Sequence, residues 1–264
     1  MNTRVQRKRM IAQMSRSGRD LGHPAYNHGM RLRMCFWNNR RLAVCLALLW
    51  VTVGARGQAP AQATETGPGF IVTYVEAPAA KSAALAADIE SYARQIESGP
   101  GKPAVTVLRE FGRPGRMIVM EQWPELSSPA AAEAGKQLAA QVQAEALAPL
   151  DRRVNHPLTS ALAPIPASSF VVVMHVDIGG GAAAAGQKIV EAQRDAVLAA
   201  PGALGYEVAV QDQHANHFAL CEVWKSRAAY EAYTATGPAE DFRRQLAPLI
   251  GSPFDDRFYE RVGR

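Results

Sequence analysis

Apolar residues recur along this chain in two rhythms, and the order in which the rhythms alternate occurs twice. Residues 70–75 are a short run of β-branched and aromatic side chains, apolar on both alternations, which predicts a strand covered on both faces. From 81 to 96 the apolar positions fall at Leu85, Ile89, Tyr92, Ala93 and Ile96, the spacing of an amphipathic helix, and Gly99-Pro100-Gly101 stops it. Residues 105–111 and 117–123 predict two strands around the turn Gly112-Arg113-Pro114-Gly115. Alanine dominates 129–147, a second helix, and 151–156 is a short closing strand. The order is βαββαβ.

The order then returns. Residues 170–176 predict a strand, Gly179-Gly180-Gly181 a turn, and 182–199 a helix ended near Pro201-Gly202. Strands follow at 204–211 and 216–224. Helical stretches at 227–236 and 239–249 are interrupted by Gly237-Pro238, and 254–262 is the last strand. Phe70 and Phe170 lie 100 residues apart; Pro100 and Pro201, and Trp123 and Trp224, lie 101 apart. The expectation is a tandem duplication rather than a short-period solenoid. It divides the chain into units at 69–156 and 169–262, joined by a linker at 157–168 that is rich in Pro, Ala and Ser. The fold class is α+β: two ferredoxin-like units, each a four-stranded antiparallel sheet with helices on one face. The other face of each sheet is best covered by its counterpart, an intrachain pseudo-dimer.

Charge changes the picture of the first 63 residues. Of 29 Lys and Arg, 11 precede Thr64 against one acid, Asp20, whereas the remainder holds 18 basic and 23 acidic residues. A nucleic-acid partner is therefore not expected of the folded part. Arg40-Arg41 precede an apolar run at 42–53, too short to span a membrane comfortably and suited to a signal-peptide core. Small-x-small sites at Ala59-Pro60-Ala61 and Ala61-Gln62-Ala63 place cleavage near residue 63, and the expected location is periplasmic or secreted, with no membrane attachment after cleavage. An uncleaved anchor is the alternative, and Met30 or Met34 is an alternative start. Cys221 is the only cysteine beyond the leader, which removes an internal disulfide or a multi-cysteine metal site. The turn from Asp212 to His217 brings two histidines and an aspartate close in sequence, without a fourth metal ligand.

The strand ends Glu222-Val223-Trp224 and Glu121-Gln122-Trp123, the βαββαβ order, and the tail Pro248-Leu249-Ile250-Gly251-Ser252-Pro253-Phe254-Asp255-Asp256-Arg257-Phe258-Tyr259 resemble the antibiotic biosynthesis monooxygenase superfamily. The resemblance covers 69–262 and implies a dimeric α/β-barrel. It implies either cofactor-independent oxidation of quinols or polycyclic phenols by O2, or a module of the same fold that binds a small ligand or haem without chemistry. An assembly protein using the barrel edges is a third possibility. Haem-degrading relatives carry an iron-binding histidine on the helix after the tryptophan. Nine and ten residues after Trp224 stand Tyr233 and Thr234, and after Trp123 stand Ala132 and Glu133. The first unit's tail shrinks to Pro149-Leu150-Asp151-Arg152-Arg153.

Strand alternation places Phe218, Leu220, Glu222 and Trp224 on one face, and Glu121 and Trp123 share a face in the same way. A carboxylate among apolar neighbours has a raised pKa and can serve as a base toward a phenol. The same pattern serves a structural glutamate that caps an amide or pairs with an arginine. The candidate catalytic residues are Glu222, Trp224, Tyr233 and His175, with Phe218, Leu220, Glu121 and Trp123 as pocket candidates. His175 alternates with Val171 and Val173, which also suits a core or interface histidine. No cofactor or metal is expected. The expected partner is a small aromatic substrate or ligand, with further oligomerisation left open. No dinucleotide, nucleophile-elbow, phosphate-loop or zinc motif is present.

Overall fold

The structure, a computed structural model, describes residues 67–159 and 163–263. The expected leader at 1–63, with its expected signal-peptide core at 42–53, lies outside the described residues. The first unit runs β1 (Gly69–Glu76), α1 (Ser82–Ser98), β2 (Ala104–Glu110), β3 (Arg116–Trp123), α2 (Pro129–Gln141) and β4 (Asp151–Pro157). The second runs β5 (Phe170–Asp177), α3 (Ala183–Leu198), β6 (Ala203–Gln211), β7 (His214–Trp224), α4 (Arg227–Thr234), α5 (Gly237–Leu246) and β8 (Asp255–Val262).

The strands close into one antiparallel barrel in the order β1-β3-β2-β8-β5-β7-β6-β4. Each unit contributes a ferredoxin-like sheet, β4-β1-β3-β2 and β8-β5-β7-β6. The sheets join where β2 meets β8 and where β4 meets β6. Every described strand is therefore paired on both sides, so an assembly role through free barrel edges loses its basis.

Strand alternation sorts the apolar side chains into three cores. Outside the barrel, α1 and α2 cover Ile71, Val75, Val119 and Trp123 with Leu85, Ile89, Tyr92 and Leu138. On the second unit, α3 to α5 cover Val172, Met174, Phe218, Leu220 and Trp224 with Val190, Val197, Tyr233 and Phe242. Inside the barrel lie Val72, Ile118, Met120, Val171, Val173, Cys221, Val223 and Tyr259. Strands apolar on both alternations thus serve a helix layer and a barrel interior at once.

The two units correspond at a constant offset of 101 residues on their first three strands: Trp123 lies opposite Gly69 and Trp224 opposite Phe170, while Glu121 lies opposite Ile71 and Glu222 opposite Val172. Gly69, not Phe70, therefore corresponds to Phe170. Phe70 lines the interior and Phe170 joins the helix-side core, because a slip of one residue exchanges the faces of a strand. The Pro-Gly turns do match: Gly101 and Gly202 have φ of 81° and 86°. A Cβ at Gly101 would lie 2.8 Å from Trp123, and one at Gly202 2.8 Å from Ala229.

Three further details differ from expectation. The helix at 129–147 ends at Gln141, and the chain turns so that the Leu147 amide donates to the Glu76 carbonyl at 2.8 Å; this tie overrides alanine's propensity. The expected turn at 212–217 tightens to Asp212-Gln213, with Gln213 at φ 58°, and His214 and His217 join β7. The connector is not a free spacer. Ile165 is buried among the barrel-interior residues, and its carbonyl accepts a bond from Arg261.

Candidate functional site

Both units build the same starting arrangement. A glutamate and a tryptophan two residues apart share the helix-facing side of β3 or β7, and the indole donates to the carboxylate. Trp123 Nε1 lies 2.8 Å from Glu121 Oε2, and Trp224 Nε1 lies 2.9 Å from Glu222 Oε2. Each following helix starts on a serine N-cap, Ser128 or Ser226, accepting from Ala131 or Ala229 at 3.2 Å.

In the first unit this arrangement is closed. Glu121 is 0% exposed. Its Oε1 accepts from the Tyr92 hydroxyl at 2.7 Å, and Arg152 Nη2 reaches its Oε2 at 3.1 Å while also donating to the Ala131 carbonyl at 2.9 Å. The helix above presents Ala131, Ala134, Gly135 and Leu138. A Cβ on Gly135 would lie 2.7 Å from Arg152 Nε, so this glycine makes room for the guanidinium. Glu121 is held by a partly buried guanidinium and two further donors, the structural role that the strand pattern also allows.

In the second unit each filling residue is replaced. Tyr92 corresponds to Gln193, the third buried position of α3 as Tyr92 is of α1. Arg152, opposite Thr73 on β1, corresponds to Asp256, opposite Met174 on β5. Small helix residues give way to Tyr230, Tyr233 and Phe242, and the helix breaks between α4 and α5. A cavity of about 260 Å³ results, lined by Met174, Gln193, Glu222, Tyr230, Tyr233, Ala239, Phe242, Arg243, Phe254 and Asp256. A short acid where the first unit has a long cation removes the side chain that would fill this space. Trp224 forms the layer behind it, 5.2 Å from the Tyr233 ring and 6.0 Å from that of Tyr230.

Glu222 is 3% exposed and, among the described residues, receives one hydrogen bond, from Trp224. Burial raises its pKa to about 7, the indole bond opposes the rise, and Asp256 adds to it. Near neutral pH the carboxyl is thus divided between acid and base forms, suited to proton exchange. Asp256 stands at the mouth, where solvent reaches it. Partial enclosure, and then neighbouring Asp255, raise its pKa, while Arg243 opposes. Burial pushes the Tyr233 hydroxyl up to about 12 and Tyr230 higher still, so both remain neutral. The Tyr233 hydroxyl accepts from Gln193 Nε2.

Of the four catalytic candidates, Glu222 and Tyr233 line the cavity and Trp224 backs it. His175 does not join them. It projects into the barrel interior, on the other side of β5, where the Tyr74 hydroxyl bonds its Nε2. Burial, and then Arg153, lower its pKa to about 4. Phe218 and Leu220 share the face of Glu222 but are fully packed against the helices. Glu121 and Trp123 form the closed counterpart. His217 sits 3.5 Å from Asp177, and among the described residues no cluster of three or more His, Cys, Asp or Glu is arranged to hold a metal ion. Asp256, Gln193, Tyr230, Phe242 and Arg243 were not singled out from sequence. Alternation along β8 would have found Asp256, since it shares a face with Phe258 and opposes Asp255, Arg257 and Tyr259.

A closed barrel of two ferredoxin-like units with a cavity between sheet and helices defines a dimeric α/β-barrel protein folded within one chain. Residues 169–245, within the second unit, match the family model of antibiotic biosynthesis monooxygenase. No curated protein matches the chain. Among solved structures, a Fusobacterium nucleatum protein named as a candidate monooxygenase superposes with a TM-score of 0.62 at 15% identity, over 75% of this chain and 93% of its own. A Lactobacillus acidophilus protein named in the same way gives 0.59 at 11% identity, over 74% and 94%. An anthrone oxidase-like protein gives 0.56 at 11% identity, over 75% and 92%. At these identities the likeness concerns the fold.

Proposed function

We propose that the chain is an exported, cofactor-independent monooxygenase whose second unit oxidises small electron-rich phenols or quinols with O2. The observation that carries this reading is Glu222, a buried carboxylate that opens onto a cavity and lacks the arginine and tyrosine that donate to Glu121. The cavity, at about 260 Å³, falls just below the ~300–1,000 Å³ of pockets for drug-sized ligands, which favours one or two rings over a larger polycycle.

In this reading Glu222 takes the phenolic proton, and the apolar walls of Met174, Phe242 and Phe254 hold the ring and exclude water. The phenolate is the reductant. Phenol and O2 give quinone and water: one oxygen atom enters the ring, the other leaves as water, and all four electrons come from the substrate. The protein supplies burial, orientation and a base. Export rests on the leader pattern alone, and the family of the second unit and the names of the structural neighbours support the oxygenase class.

The test is oxygen uptake by the purified chain with a panel of one- and two-ring phenols and quinols. One O2 consumed per quinone formed, without peroxide, supports the reading. Ligand binding with no uptake for any member of the panel supports the non-catalytic module instead.

A further inference from the structure

Resting on that reading, we infer that the second-unit cavity selects ligands in which a hydroxylated aromatic ring is joined to a protonated amine. The cavity holds two carboxylates at different depths. Glu222 lies inside, opposite Val172 on β5, and Asp256 lies at the mouth, opposite Met174. The two sit on strands flanking β5, staggered along it by two residues, about 7 Å. A ligand that meets both has two polar ends separated by a ring and a short arm.

The charges around the mouth leave Asp256 for the ligand. Its counterpart in the first unit is a cation, Arg152, that satisfies Glu121; here the sign is reversed and neither acid has an ion-pair partner among the described residues. Arg243 lines the same cavity and competes for Asp256, but it makes no ion pair with it among the described residues, and its Nη2 donates to the Thr234 carbonyl at 2.9 Å. Arg227 and Arg244 are occupied by Glu231 at 2.7 Å and Asp241 at 2.6 Å, and Arg257 by Asp255 at 2.6 Å on the opposite face of β8. The rings of Tyr230 and Tyr233 supply π-faces beside the path inward, which attract an ammonium further. An amine held at Asp256 leads with its hydroxyl toward Glu222, so the mouth acid orients the substrate as well as selecting it.

Calorimetric titration with three probes of one shape tests this: p-ethylphenol, tyramine and p-hydroxyphenylpropanoate. The expected result is tyramine binding at least tenfold more tightly than p-ethylphenol, with the propanoate weakest. Asp256→Asn removes the preference for tyramine over p-ethylphenol, whereas Arg243→Gln increases it. Equal binding of the three probes, or a preference for the propanoate, overturns the amine inference and leaves the phenol reading standing. Absence of binding by all three overturns both.

Discussion

Arg152 and Asp256 occupy the same register position in the two units and carry opposite charges. One reaches 3.1 Å from Glu121 and closes its site; the other leaves Glu222 beside an open cavity. The two halves of the barrel share a backbone plan and differ in how far the glutamate is enclosed, through this exchange and the accompanying change from Tyr92 to Gln193.

Asp256→Arg is therefore expected to rebuild the closed arrangement. A guanidinium reaching Glu222 fills the cavity, and affinity for p-ethylphenol falls at least tenfold in calorimetric titration. Unchanged affinity would show that the side chain at 256 does not control the space.

Glu222 makes stability depend on pH. Its folded pKa of about 7 lies above the ordinary 4.5, so its contribution is fully present below pH 4.5 and is lost as pH rises through 7. The loss amounts to about 3 kcal/mol by pH 8. Glu222→Gln removes the dependence while keeping an acceptor for Trp224. In urea titrations the variant is expected to match the parent near pH 4.5 and exceed it by about 2–3 kcal/mol at pH 8.

Arg152→Ala leaves Glu121 buried without its cation, and unfolding free energy is expected to fall by about 3–5 kcal/mol. Adding Glu121→Gln should recover most of that loss, since an uncharged amide no longer needs the guanidinium. The double variant separates loss of charge pairing from loss of packing.

His175 acts on the acid side. Burial lowers its folded pKa to about 4 from an ordinary 6.5, so its stabilising contribution is present above pH 6.5 and lost as pH falls through 4. Partial exposure limits the effect to about 2 kcal/mol. His175→Asn should flatten the stability profile between pH 6.5 and 4 without altering phenol binding, because the side chain lies inside the barrel.

The elements were legible in sequence because strand and helix periods are local. The Trp123 and Trp224 strand ends, and the Pro-Gly turns at Gly101 and Gly202, fixed the correspondence of the units. Matching Phe70 to Phe170 failed by one residue, because both faces of those strands are apolar and identity alone carries no register. Glu222 and Trp224 were visible by alternation. The closure of the Glu121 site was not, since it depends on Arg152, 31 residues later, reaching across β1 from β4. Gln193, Phe242 and Asp256 converge on Glu222 from three separate elements, a proximity that no single window of sequence displays. His175 sits one residue from the helix-facing side, and only the pairing of β5 with its neighbours reveals that it faces inward.

One unit has a cavity beside its glutamate, and in the other the glutamate is enclosed by its own unit's side chains. Oxygen uptake with a small phenol, compared between Glu222→Gln and Glu121→Gln, tests this difference most directly. A loss of at least a hundredfold is expected for the first variant and a change within about threefold for the second, provided both remain folded. Equal losses, or a larger loss at Glu121, would contradict it.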